Sequence, residues 1–264
     1  MLNRFATPHL GQGTELFSET DYTRQRAERL NALPGTLTDY DCVDCRNKGL
    51  VHFAADGYLT VRECACMPQR RTRKRIAASG LSGLLESCTL DSFQTPERWQ
   101  ADAKRAALSF LGDSSGHWFF AGGQVGCGKT HLCAAIAGEL LKSGRDVRYM
   151  LWKDDSTRLK AAVNDDSQYG PLIDSFKTAS VLYIDDFFKT ERGKSPTAGD
   201  INVAFELLNF RYNSTGLITI ISSERTVDAL LEIDEAVGSR IFQRSRKYCL
   251  IFGPDKAKNY RLRA

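Results

Sequence analysis

Polar and apolar positions set different rhythms along the chain. Residues 1–40 are mostly polar. One stretch there, 21–33 (DYTRQRAERLNAL), has helical spacing and is ended by Pro34-Gly35. Between 49 and 63 (GLVHFAADGYLTVRE), two β-type runs flank Asp56-Gly57, a pair suited to a hairpin turn. A dense basic run follows, formed by Arg70, Arg71, Arg73, Lys74 and Arg75, and reads as a solvated linker or helix face. From about residue 91, short apolar runs alternate with amphipathic stretches. Strands are expected at 117–121 (HWFFA), 147–152 (VRYMLW), 181–184 (VLYI), 217–221 (LITII) and 248–252. Helices are expected at 129–142, 156–163, 171–178, 198–212, 226–231 and 234–243. Strands and helices in alternation imply an α/β fold, a parallel sheet covered on both faces.

Composition narrows this picture. A length of 264 residues suits one or two domains, and a boundary is expected near 76–92. Hydrophobic residues at 42% and charged residues at 26% are ordinary globular usage, which excludes a wholly disordered chain. No apolar run approaches the roughly 20 residues that span a bilayer. The first twenty residues carry no apolar signal-peptide core, so a cytoplasmic, membrane-free protein is expected. The net charge of +4 is too small to argue for nucleic acid without a local patch.

The chemistry concentrates in one loop. Gly123-Gln124-Val125-Gly126-Cys127-Gly128-Lys129-Thr130 fits G-x-x-x-x-G-K-S/T, between an apolar strand and an amphipathic helix. Glycines let the loop curl so that its N–H groups face phosphate oxygens, and the following helix adds its positive end. Lys129 would neutralise the β and γ phosphates of ATP, Thr130 would ligate Mg²⁺, and the site would extend to His131. Asp185 and Asp186 end the 181–184 strand. Asp185 would hold the Mg²⁺ shell, and Asp186 is placed to polarise the attacking water. Ser222 and Ser223 end the next strand, where sensing of the γ-phosphate and capping of the next helix are both open. Arg240 sits in a polar Gly-Ser-Arg-Ile context that predicts a solvent-facing side chain, either simply solvated or donated to a neighbour's ATP.

Of eight cysteines, Cys88, Cys127, Cys133 and Cys249 are scattered and read as small buried residues. Cys42, Cys45, Cys64 and Cys66 form a CxxC and a CxC at the two ends of the hairpin segment. A hairpin would bring both pairs together as four thiolates for a closed Zn²⁺ site, with His52 as an alternative to one of them.

These features together resemble the AAA+ ATPases of the DnaC/DnaI helicase-loader group, especially phage and prophage versions. The resemblance runs from about Asp91 to the C-terminus. It rests on GQVGCGKT, YIDDF, Gly199-Asp-Ile, Asn209-Phe-Arg-Tyr, IISSE, Asp234-Glu-Ala-Val-Gly-Ser-Arg-Ile and Asn259-Tyr-Arg. The cysteine-rich segment is similar to the zinc-binding domain of the DnaI type rather than to transposase-helper ATPases. The resemblance implies an AAA+ sheet at 91–264 without a full lid domain, a zinc-binding helicase-interaction domain at 1–75, and a linker at 76–90. It implies Lys129 and Thr130 as nucleotide and Mg²⁺ ligands, Asp185 and Asp186 as Walker B, Arg240 as a trans-acting finger and Arg261 as a sensor-2-like arginine. The sensor-1 position falls near Ser223-Glu224, without the Asn common in the wider group. The implied function is loading of a DnaB-type hexameric helicase onto single-stranded DNA, with self-association in ATP. A transposase helper acting on duplex DNA and a non-hydrolysing adaptor are the alternatives. Single-stranded DNA contacts are expected from the 70–75 run or from 153–168, where Lys153, Arg158 and Lys160 are offset by Asp154, Asp155, Asp165 and Asp166.

Overall fold

The computed structural model describes residues 19–38, 41–113, 116–191 and 193–262. The chain divides into two compact units, one ending at Arg70 and the other starting at Arg71. Among the described residues, no helix is long and apolar enough to cross a membrane.

The first unit holds helix α1 (Glu19–Ala32) and an antiparallel hairpin of β1 (Leu50–Ala55) and β2 (Tyr58–Glu63). Asp56 and Gly57 both take positive φ, 52° and 79°, the conformation a two-residue hairpin turn requires. The Asn31 side chain fastens α1 to the hairpin. Its Nδ2 donates to the His52 carbonyl at 2.8 Å, and its Oδ1 accepts from the His52 N–H at 2.9 Å. Helix α2 (Met67–Ser79) carries the basic run across the unit boundary. That run is not simply solvated. Arg70 is buried, donating to Cys66 Sγ at 3.4 Å and to Asn47 Oδ1 at 2.8 Å, while Arg75 pairs with Asp146 at 3.2 Å. A guanidinium has enough donors to satisfy a sulfur and an amide at once, which makes its burial affordable.

The second unit is a five-stranded parallel sheet. Its strands are β3 (Trp118–Gly123), β4 (Val147–Leu151), β5 (Val181–Asp185), β6 (Ile218–Ser223) and β7 (Cys249–Phe252), in the order β4-β5-β6-β3-β7. Helices α3 (Ser82–Leu85), α4 (Arg98–Gly112), α5 (Lys129–Lys142), α6 (Trp152–Ala162), α7 (Asp166–Lys177), α8 (Ala198–Asn213), α9 (Val227–Ile233) and α10 (Glu235–Ser245) complete it. Side chains of β3 alternate between two apolar layers, as a strand period of two demands. Phe119 and Ala121 join α4 and α5, whereas Trp118 and Phe120 join the layer of α6 to α10. The stretch 76–90, expected as a linker, contributes Leu81 and Leu90 to the first layer.

Two features of this unit lay outside the sequence expectation. Helix α4 is capped by Glu97, whose N–H donates to Gln100 Oε1 at 2.8 Å, and it buries Ala103, Ala107 and Phe110. Arg211 of α8 is fully buried and donates to Thr219 Oγ1 and to the carbonyls of Phe176, Lys177, Ala179 and Ile218. Burial pulls its pKa down to about 9.

Candidate nucleotide site and cysteine cluster

Because all five strands are parallel, their C-terminal ends open on one edge, and the glycine loop leaves the central region of that edge from β3. Gly123, Gly126 and Gly128 have φ of 105°, 73° and 91°. Gly126 is required for a second reason. A Cβ there would lie 1.9 Å from Asn259 Oδ1, in the segment that crosses the loop after β7. The Tyr260 N–H donates to the Gly126 carbonyl at 3.0 Å, fastening that crossing. Lys129 folds back over the loop, donating to the carbonyls of Gly123 at 2.9 Å and Gln124 at 2.6 Å.

Beneath the loop, Asp185 gathers hydroxyls. Thr130 Oγ1 donates to its Oδ1 at 3.0 Å, Tyr183 at 2.8 Å, and Ser222 also donates there, while Tyr149 donates to Oδ2 at 3.1 Å. The strand pairing explains this convergence. Tyr183 is two residues before Asp185 and pairs with Tyr149 on β4, and Ser222 lies near the end of β6, which runs between β5 and β3. Burial and the nearby carboxylate raise both tyrosine pKa values, so both stay donors. Asp186 follows with a φ of 55°, its N–H held by Ser222 Oγ at 3.1 Å. Its carboxylate accepts from Lys189 Nζ at 2.8 Å, and Lys189 also lies 3.2 Å from Glu224. Burial opposes the Lys189 charge, but the two carboxylates outweigh it and raise the pKa.

Val125, Gly126, Gly128, Lys129, Thr130, His131, Asp186 and Arg261 line one cleft of about 240 Å³, together with Cys88, Lys189, Glu224 and Tyr260. A cavity of about 300 Å³ adjoins it, lined by Ser92, Phe93, Gln94, His131 and Tyr260 among others. The sequence reading placed eight of these cleft residues, put the sensor-1 position near Ser223-Glu224, and gave no site role to Cys88, Lys189 or Tyr260. The remaining predicted positions act differently. Cys127 is buried, Gly123 and Gln124 face the site through their carbonyls, and Asp185 reaches it through Thr130. Ser223 is occupied with the Phe187 carbonyl at 2.7 Å. Among the described residues, Arg240 does not line the cleft. It is not simply solvated either. From α10 it packs against α8, 5.0 Å from the Phe205 ring centroid, and donates to Asn209 Oδ1 at 3.1 Å and the Ala236 carbonyl at 2.8 Å. An amphipathic guanidinium covers aromatic surface with its flat face, which a polar sequence context does not reveal.

In the first unit, the sulfurs of Cys42, Cys45, Cys64 and Cys66 all lie within 4.8 Å of one another. Cys42–Cys64 and Cys45–Cys66 are 3.8 Å and 3.6 Å apart. A tetrahedral zinc site with Zn–S bonds of about 2.3 Å has edges of about 3.8 Å, so the cluster is compatible with zinc. The Gly49 N–H donates to Cys45 Sγ at 3.3 Å, and Arg70 donates to Cys66 Sγ. Burial opposes a thiolate at Cys45, but that N–H and the neighbouring thiols outweigh it and lower its pKa. His52 lies outside the cluster.

A parallel sheet in this order, with a glycine loop and a hydroxyl–carboxylate pair beneath it, defines a P-loop nucleotide-binding domain of the AAA+ class. The profile described as "IstB-like ATP binding protein" matches residues 51–264, and the chain belongs to that family. It is 32% identical over 235 residues to the phage-like element PBSX protein XkdC of Bacillus subtilis (strain 168), covering 84% of this chain and 86% of XkdC. It is 26% identical over 188 residues to the replicative helicase loader DnaC of Escherichia coli (strain K12), covering 70% and 72% of the two chains. Among solved structures, the fold is similar to DnaI, with a TM-score of 0.53 and 23% identity over 65% of this chain and 93% of that one. It is also similar to DnaA from Aquifex aeolicus, with a TM-score of 0.52 and 20% identity, where the match covers 66% of this chain but about half, 52%, of the solved one.

Proposed function

We propose that the chain is an ATP-dependent loader of a DnaB-type hexameric helicase, acting on single-stranded DNA in the cytoplasm. The observation that carries this reading is the Thr130–Asp185 bond beneath the glycine loop, which joins the helix of the phosphate loop to the acidic strand at hydrogen-bond distance. Lys129 would exchange two loop carbonyls for phosphate oxygens. Thr130 and Asp185 would hold Mg²⁺, which supplies positive charge to the phosphates when bound. Asp186 would accept the proton of the attacking water. Phe93, His131 and Tyr260 offer an aromatic wall for the base. Cys42, Cys45, Cys64 and Cys66 would hold Zn²⁺, keeping the first unit folded as the helicase-binding part.

Arg240 lies away from the cleft its own chain lines, which fits a finger given to a neighbour and slow hydrolysis in an isolated chain. The strand contact is assigned to Arg71, Lys74 and Arg75, which line a groove of about 390 Å³ with Asp146. The 153–168 segment is less suited, since its Lys153, Arg158 and Lys160 are offset by Asp154, Asp155, Asp165 and Asp166, whereas no acid interrupts the run 70–75. The test is co-purification with a DnaB-type helicase in ATP and in ADP, with and without single-stranded DNA. A complex that ignores both nucleotide and strand counts against a loader.

One observation favours a second reading, the non-hydrolysing adaptor: the Asp186 carboxylate is engaged by Lys189. Asp186→Asn separates the two. The loader predicts unchanged ATP affinity and hydrolysis lowered by about 10²–10⁴. The adaptor predicts that wild-type and variant hydrolysis are equally negligible.

A further inference from the structure

The β5–α8 loop puts a cation into the phosphate cleft that the glycine-loop motif does not account for. Its backbone is held tightly. Asp186 and Phe188 both take left-handed φ, 55° and 54°, conformations that non-glycine residues keep only when their surroundings enforce them. The Phe187 N–H donates to the Ser222 carbonyl at 2.8 Å, and Ser223 Oγ donates to the Phe187 carbonyl. Phe187 and Phe188 stack on each other and are fully buried against Trp152. A loop fixed this way aims the next side chain, Lys189, into the cleft that Lys129 and Thr130 also line.

There the Lys189 ammonium is shared by two carboxylates, Asp186 and Glu224, and remains partly open to the cleft. Resting on the ATP-site reading above, we propose that Lys189 reads the γ-phosphate. The terminal phosphate competes with Asp186 and Glu224 for this ammonium. When it wins, Asp186 is released to face the attacking water. The two acids make the competition selective. Three carboxylates at or under one cleft repel a polyphosphate, and ADP lacks the terminal group that displaces the ion pair. In this scheme the Asp186–Lys189 pair is the resting state of a hydrolytic site.

The test measures affinities of the full chain for ADP and for a non-hydrolysable ATP analogue. Lys189→Met should weaken the analogue about ten-fold or more, the range of a lost hydrogen bond between charged groups, while ADP changes far less. Lys189→Arg should restore most of the difference. ADP affinity serves as the folding control. Should Lys189→Met not fold, Glu224→Gln removes one competitor for the ammonium and should shift selectivity towards the analogue. An analogue-to-ADP ratio unmoved by these substitutions, or equal losses for both nucleotides, overturns the proposal. A wild-type chain that binds neither nucleotide overturns the ATP-site reading itself, a distinct result.

Discussion

The two units of this chain are built on different materials. In the second, Trp118, Phe119 and Phe120 are successive residues of one strand and all are fully buried, feeding apolar layers on both faces of the sheet. In the first, the buried cluster is four cysteine sulfurs, with Val51 and Met67 packed against it. Its hairpin leaves Tyr58 at 76% and Val61 at 50% exposed, so its faces are only partly covered. Hydrophobic burial, at about 25 cal/mol per Å², can hold the sheet together but has little area to act on in the hairpin. Small units short of core generally need a metal or a disulfide, and the sulfur spacing here suits a metal.

The comparison is broken most severely by removing the ligands of the zinc ion proposed for the first unit. Zinc binding supplies about 10–16 kcal/mol in small zinc-dependent peptides at neutral pH, more than a short hairpin gains from packing. One Zn²⁺ per chain is expected by elemental analysis of a reduced sample. Cys45→Ser should lose it and abolish amide-exchange protection in β1 and β2, while the melting transition of the second unit stays in place. A metal-free chain with a protected hairpin would show that the first unit has a core the sulfurs do not provide.

A smaller effect, confined to the other unit, should follow Arg211→Met. This guanidinium ties the end of α8 to the ends of α7 and the start of β6 through five acceptors. Leaving those carbonyls unpaired should cost about 3–5 kcal/mol, with part recovered by the apolar replacement. Denaturant unfolding should show the loss in the sheet transition, with zinc content unchanged. A cost under about 1 kcal/mol would mean that water replaces the guanidinium at those carbonyls.

Much of this was legible in the sequence because it is local. Helix α5 is bounded by Gly128 and Gly144, and its expected range 129–142 matches the observed Lys129–Lys142. The glycine loop, the two aspartates and the paired cysteines are likewise read from neighbours in sequence. What escaped depends on which elements lie side by side. Tyr149 and Tyr183 meet at Asp185 only because β4 pairs with β5, and Lys189 meets Glu224 only because β5 neighbours β6. Helix α4 was missed for a local reason. Its buried face is spaced by small Ala103 and Ala107, a muted signal, although Glu97 and Gln100 marked its start.

The finest test concerns Arg240, where one side chain would serve both the fold of its own unit and the site of another copy. Its stacking on Phe205 and Tyr212 gives Arg240→Ala a stability cost of about 1 kcal/mol, the usual size for a half-exposed cation on aromatic rings. That cost is too small to unfold the sheet, so activity can be read separately. If the finger acts in trans, hydrolysis should fall much more than stability, since such fingers accelerate phosphoryl transfer by about 10³–10⁵. Arg240→Ala retains its own glycine loop, and Lys129→Ala retains its own Arg240, so each chain lacks what the other supplies. Mixed, the two inactive chains should recover part of the activity where a sound loop meets a sound arginine. Recovery with only the small stability loss would assign the side chain both roles. A mixture that stays inactive, with hetero-assembly verified, would leave Arg240 as a packing residue of α10 on α8, and the cation completing the cleft would have to come from its own chain.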